Sequence, residues 1–508
     1  MPGVRVRIAA PVTLAGIAAA LALDQAGFFP HSWVWAAVLV FWLSILALVG
    51  PREVRVRRAS VGWLAALTLL TGWTLLSYTW SAVPSQTLLE ARRDLVYLGA
   101  ATAVVFACGR LAARTLLGAL LVSLEFVVLV ALARYLTAAP HDRLSETEGA
   151  LLSWPAGYAN AVAALAALAV PLGLAFAAHA RRFRSRAVAA AGVPPLVAAL
   201  VLSGSRGGSV AATIGALALL WLDPRRRAVA WTAVRVAGPV AVVVGACLWS
   251  RLTSTTLTTD EVWRGRIVLA VALGAAAAAA ALAVPARRPA RGGRIPSRRA
   301  LAAVAVAATL LAALVAALPE LGGTPTLRVL VGGQRAAYWT TAWTEIHAHP
   351  AVGGGGGTFG RSWLEHGRAK ELGGALDDHN VYLETLAELG PIGLVLLLGA
   401  LAAPLAAVPR AIAASRVGAA ATAGYVAYAV DAFVEWDWEL PAVTTAGLLL
   451  GGALLVLATP ATARPLGART RVATIGVAIV CAFLALFGLA SHTLPAAAAA
   501  EAATATGS

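Results

Sequence analysis

Uncharged apolar stretches of about 18–20 residues recur along almost the whole chain, and each can cross a hydrocarbon core about 30 Å thick. At 508 residues, length alone would suggest about two to four globular domains. The recurrence of these stretches instead implies one all-α membrane domain, a polytopic transmembrane helix bundle over 1–490. Composition agrees: the chain is 60% apolar and 13% charged, against about half and a quarter in soluble domains. Spans are expected near 8–27, 33–50, 61–79, 94–108, 115–136, 157–178, 188–203, 209–222, 229–249, 267–285, 300–317, 392–408, 417–434, 441–458 and 472–490, about 14 or 15 in all. Arg5 and Arg7 precede the first. No convincing cleavage site follows them and a second span comes at once, so this segment reads as a retained helix rather than a signal peptide.

Basic residues set the orientation. With the N-terminus in the cytoplasm, the inside segments are 1–7, 51–60, 109–114, 179–187, 223–228, 286–299, 409–416 and 459–471. They hold 26 Arg and two acids, Glu53 and Asp223. Every inside loop carries at least two Arg, as the positive-inside rule requires, and the inverted topology breaks that rule at nearly every loop. The net charge of +16 is thereby placed along a membrane face, and no nucleic-acid partner is implied. All the basic residues except Lys370 are Arg, which with abundant Ala reads as a GC-rich coding background. Cys108, Cys247 and Cys481 all fall in apolar runs, so no disulfide framework is expected.

One outside loop, 318–391, is too long for a simple connection and is partly helical. Long loops inside a compact domain are commonly functional. Arg335–His347 has helical character, Gly353–Gly357 cannot form a stable helix, and Val381–Leu389 reads as a helix running back into the membrane. The glycine run lacks the GxxxxGK[ST] of a nucleotide loop and is read as a hinge or a segment of close approach. Outside, WSAVPSQTLLEARRD at 80–94 is expected to form a short interfacial helix, and EWDWEL at 435–440 pairs acids with Trp at a membrane edge. The segment 491–508 is small and polar enough to be disordered.

Three residues stand out chemically. Arg206, in GSRGG at the outer edge of the bundle, is either an interfacial Arg snorkelling to water or an anion ligand, its flanking glycines letting backbone N–H groups approach a phosphate. Arg335 opens the helical part of the long loop, as a solvated side chain or as the second planar fork of a pyrophosphate site. His379, in DDHN, is a loop histidine or a proton acceptor near neutral pH. Asp377 and Asp378 beside it either begin and solvate the following helix or, with His379, ligate a divalent cation. The helix-start reading is the one adopted, and no metal is expected. Glu125, within the fifth span, and Asp431, at the end of the thirteenth, rank lower as intramembrane acids.

The pieces together resemble the O-antigen ligase and O-antigen polymerase superfamily of bacterial membrane glycosyltransferases, most strongly over about 150–440. SGSRGG at 203–208, Arg335 followed by Trp339, HPAVGGGGGTFG at 349–360 and HNVYLETLAELGPIGLVLLL at 379–398 carry the resemblance, with weaker echoes at 80–98 and in GYANAVA at 157–163. The resemblance implies a donor glycan on an undecaprenyl-pyrophosphate-type carrier, an acceptor hydroxyl on a glycan, lipid or protein, and inverting transfer on the outer face of the cytoplasmic membrane without metal, nucleotide or other cofactor. It implies that Arg206 and Arg335 bind the pyrophosphate and that His379 is the catalytic base. Asp378, Asn380, Glu388 and Asn160 are the supporting candidates. The run Gly353–Gly357 is richer in glycine than the family pattern, and the helical-repeat domain that many relatives carry after the last span is not seen before Ser508. A lipid-linked oligosaccharide or polysaccharide transporter is the alternative, but the chain lacks the internal repeats usual in transporters.

Overall fold

The computed structural model describes residues 2–50, 53–145, 147–254, 261–283, 333–369 and 374–505. The described residues are helical and contain no strand, only isolated bridges such as Arg55 with Pro465. Ten of the helices among the described residues are long and apolar enough to cross a membrane. The order is α1 Pro2–Leu23, α2 Pro30–Val49, α3 Arg58–Ser77, α4 Pro84–Ala107, α5 Arg110–Thr137, α6 Pro140–Arg143, α7 Ala159–His179, α8 Phe183–Leu202, α9 Arg206–Leu222, α10 Arg226–Ser250, α11 Glu261–Leu282, α12 Gly333–Ala348, α13 Phe359–His366, α14 Val381–Leu405, α15 Val408–Ala414, α16 Gly418–Asp431, α17 Pro441–Leu457 and α18 Ala468–Ala505. The expected span at 300–317 lies outside the described residues, as does the part of the long loop at 318–332. Each of the other expected spans falls on one of these helices.

Proline sets several starts. Pro30, Pro84 and Pro441 each stand in the first turn of their helix, where the missing N–H costs nothing and the fixed φ suits the helix. Two helices form the axis of the bundle. The apolar window of α7 is 94% buried and that of α17 wholly so. α7, α9 and α16 pack against one another, and α17 packs on α1, α4, α5 and α16. Small residues permit this closeness, as is usual where apolar lipid gives helices little reason to associate: Gly447 and Gly451 of α17 lie under the rings of Tyr428 and Tyr425. The outer helices turn large apolar side chains such as Trp221, Trp231, Trp249 and Trp263 outward, where a bilayer would cover them.

Two local expectations change, those for 84–94 and for the last helix, while the expected division between the 381–389 helix and the next span holds. The segment 84–94 is not a separate interfacial helix but the first turns of α4, because Glu90 and Arg93 pair with each other and Arg93 with Glu439 inside the bundle. α14 is two helices merged at a bend: Gly390, at φ 65° and followed by Pro391, separates the loop helix 381–389 from the span that follows. The last helix runs on to Ala505, past 491 where disorder was expected. The segment is rich in alanine, the best helix former, and it extends a helix already nucleated upstream.

Candidate active site

α12, α13 and the loop part of α14 form a small outer layer with its own apolar core, Tyr338, Ala342, Phe359, Trp363 and Ala387. Tyr338 is its hub. Its ring meets Trp363 edge-on at 4.8 Å and stacks on His379 at 5.2 Å, 25° from parallel. The glycine run fastens this layer to the bundle. Gly354 and Gly355 donate to the carbonyls of Ala387 and Glu388 at 3.0 and 2.8 Å, and Gly356 donates to Ser77 Oγ at 3.0 Å. Of the two readings of this run, close approach describes the geometry. A Cβ on Gly353, whose φ is +75°, would sit 2.3 Å from the Glu388 carbonyl.

His379 is held by the residues around it. Asp378 Oδ1 accepts from the Asn380 N–H at 2.8 Å, and the Asp378 N–H donates to Glu384 Oε2 at 3.2 Å. Asn380 caps α14, its Oδ1 accepting from Tyr382 N and Leu383 N, each at 3.1 Å. The Val381 N–H donates to the Ala432 carbonyl at 3.1 Å. Between them His379 takes a left-handed φ of 62°, a conformation of the kind that clusters at functional sites. Its Nδ1 faces the Asp377 carbonyl at 3.4 Å. A carbonyl only accepts, so Nδ1 carries the proton and Nε2 the lone pair. Burial and then the charge of Arg335 lower the His379 pKa to about 4, so the ring is neutral at pH 7.

Arg335 forms an ion pair with Glu435. Glu435 is a functional candidate that the sequence reading passed over, having noted only acids beside Trp in EWDWEL. Its carboxylate is almost completely buried and also accepts from Tyr158 Oη and Asn160 Nδ2, each at 2.8 Å. Burial raises its pKa; Arg335 and then the two hydrogen bonds pull the other way. The same carboxylate lies against α9. A Cβ on Gly207 would come 3.1 Å from Glu435 Oε1, and one on Gly208 would come 2.6 Å from Ala163 Cβ. The glycines after Arg206 thus let α9 approach Glu435 and α7, a packing role where backbone approach to phosphate was expected. Ser205 caps α9 by accepting from Gly208 N at 3.1 Å, and Arg206 stands, partly exposed, at the positive end of the helix.

Arg335 therefore links both centres: its charge bears on His379, and its partner Glu435 fills the space beside the glycine after Arg206. Asn160 is tied to Glu435. Asp378 and Asn380 set the turn that presents His379. Glu388 is occupied otherwise, each carboxylate oxygen accepting a backbone N–H, Gly357 at 2.7 Å and Phe359 at 2.9 Å, so it anchors the glycine run. Glu125 lies apart, buried against Gly192 of α8.

Behind His379 the carboxylates of Asp377, Glu384 and Glu439 have oxygens within 4.8 Å of one another. Among the described residues this is the one group with the spacing of metal ligands. Arg93 already bonds Glu439 at 2.8 Å. Burial, followed by Glu439, drives the Asp377 pKa well above the carboxylate range, which favours a shared proton. Asp378 stands outside the group; burial pushes its pKa up to about 8 against the Asn380 N–H.

Residues 262–398 match the family model described as O-antigen ligase. The matched segment carries Arg335, Asp377, Asp378, His379, Asn380 and Glu388; Asn160, Arg206 and Glu435 lie outside it. No curated protein matches the chain.

Proposed function

We propose that this multi-pass membrane glycosyltransferase of the O-antigen ligase and polymerase type moves glycan from an undecaprenyl-pyrophosphate-type carrier to an acceptor hydroxyl, at the outer face of the cytoplasmic membrane. The observation that carries the reading is the position of Arg335, whose charge bears on His379 and whose partner Glu435 lies against the Arg206 helix.

The chemistry has two demands. The attacking hydroxyl must lose its proton as its oxygen bonds to the anomeric carbon, and a neutral His379 with its lone pair on Nε2 accepts it. The bond from that carbon to the phosphate oxygen breaks at the same time, and the carrier pyrophosphate leaves with increased charge. Two planar guanidiniums, Arg206 and Arg335, suit that charge through paired contacts. Glu435 holds Arg335 until the pyrophosphate competes for it, and Asn160 and Tyr158 keep Glu435 in place. Attack opposite the departing group inverts the anomeric centre. Because the arginines supply the positive charge that a divalent ion would otherwise bring, the reaction is assigned as metal-independent. Asp377, Glu384 and Glu439 then serve as a buried acidic support for the His379 turn, with Arg93 bound to Glu439.

The test is transfer by protein reconstituted with a defined undecaprenyl-pyrophosphate glycan and an acceptor. An inverted linkage is expected, with a rate unchanged by EDTA. A retained linkage, or activity lost to EDTA and restored by magnesium, overturns the inverting or the metal-free assignment respectively.

A further inference from the structure

α7, α9 and α16 run between the candidate active site and the other end of the bundle, and α5 begins beside them there. At about 1.5 Å per residue, α7 places His179 about 30 Å from Asn160. At that far end lies a cavity of about 250 Å³, walled by Arg114, His179, Asp223, Arg225, Ser415 and Arg416. These side chains come from four separate parts of the chain. His179 Nε2 meets Asp223 Oδ2 at 2.8 Å, with both side chains almost fully buried. Asp223 Oδ1 accepts the Arg225 N–H at 2.7 Å. Arg114 Nε donates to the buried Ser415 Oγ at 3.1 Å, which fixes the guanidinium plane and points its Nη groups elsewhere.

We propose that this cavity binds a phosphate group. Three guanidiniums surround it, and its one carboxylate already has both oxygens engaged. The positive-inside distribution explains why arginines collect at this end of the bundle. It does not explain why three of them, from different segments, ring one cavity whose floor is a buried His–Asp pair. The volume lies below the roughly 300–1,000 Å³ of sites for drug-sized ligands, so it suits a phosphate or a lipid headgroup. Planar forks are the usual recognition of phosphate oxygens, and here Arg114 is held by Ser415 while Arg225 and Arg416 reach in from exposed positions. The phosphate belongs either to an anionic phospholipid of the adjoining leaflet or to a soluble phosphate ion. The site is independent of the glycan reading, because none of its residues takes part in that chemistry.

The test uses the full-length protein in nanodiscs of phosphatidylcholine, with phosphatidylglycerol titrated in and bound lipid counted by native mass spectrometry. Arg225→Gln with Arg416→Gln should weaken phosphatidylglycerol retention by about tenfold or more, since two charge-assisted contacts are lost. Arg181→Gln with Arg182→Gln removes the same charge from exposed positions outside the cavity and should leave retention near wild type. If millimolar orthophosphate displaces the lipid, or protects the wild-type protein and not the cavity variant from heat, the phosphate itself is recognised; retention unaffected by orthophosphate assigns the site to lipid. Equal loss in both double variants reduces the effect to net charge and overturns the proposal. So does the absence of both a phosphatidylglycerol preference and an orthophosphate effect in the wild-type protein.

Discussion

The Tyr338 ring stacks on the His379 imidazole with centroids 5.2 Å apart and planes 25° from parallel. Tyr338 stands three positions after Arg335 on α12, and residues at that spacing share a helix face. One helix thus sets both the cation beside His379 and the surface on which the imidazole rests. Tyr338→Phe keeps the ring and should transfer glycan at close to the wild-type rate. Tyr338→Ala frees the imidazole, and turnover should fall by about tenfold, the size of one lost aromatic contact. Single-turnover rates with saturating donor check this.

The lowered pKa of His379 has a definite sign. A base is active when unprotonated, so the acid limb of kcat/KM should fall through about pH 4, well below the 6.5 of a free histidine. For stability, the unfolded chain binds this proton between those two values and the folded chain does not. The His379 contribution is therefore lost as pH falls from about 6.5 toward 4. Asp378, raised to about 8, acts oppositely: the folded state holds the extra proton, and this contribution is lost as pH rises toward 8. A pH profile of activity, beside thermal melts of wild type and His379→Gln, separates the two. An acid limb centred near 6.5 contradicts the buried, Arg335-facing histidine.

Glu435 ties three parts of the site together, and its removal should cost more than that of any single partner. Glu435→Gln leaves Arg335 without its counter-charge and should lower stability by on the order of 3 kcal/mol. Asn160→Ala removes one hydrogen bond to the same carboxylate and should cost about 1–2 kcal/mol. Thermal melting in a fixed detergent orders the two, and equal effects would mean that the ion pair contributes nothing.

Gly353→Ala should displace the glycine run. Its φ is +75° and the new Cβ would meet the Glu388 carbonyl at 2.3 Å, adding strain on the order of 1–3 kcal/mol. Gly374 has nothing within 4 Å of its Cβ position, so Gly374→Ala is the neutral control. Limited proteolysis of the loop should speed up in the first variant only.

Much of this was legible in the sequence because bilayer thickness imposes a length on every span. The apolar runs located the described helices of membrane-spanning length, though not the short ones such as α6 and α13, and the bend at Gly390 was foreshadowed by a loop helix ending at Leu389 ahead of Pro391. Residue types and the family resemblance also singled out Arg335 and His379 as candidates, beside their plain readings as a solvated arginine and a loop histidine. What was not legible depends on tertiary approach. Glu435 is 100 positions from Arg335, and nothing in EWDWEL says which acid turns inward. The glycines of GSRGG gave the same signal whether they face a ligand or, as found, Glu435 and Ala163. Glu388 was a supporting candidate, and only the fold gives its two oxygens to backbone amides.

The most direct test of the central claim measures donor binding and turnover separately in Arg206→Lys, Arg335→Lys and His379→Ala, using purified protein and a lipid-linked donor. A point charge cannot replace a planar fork, so both Lys variants should bind donor more weakly and lose about a hundredfold in rate, on the order of 3 kcal/mol. His379→Ala should bind donor nearly as wild type while turnover falls by roughly 10²–10⁴-fold. Full turnover in His379→Ala, or unaltered donor binding in both Lys variants, would contradict the account.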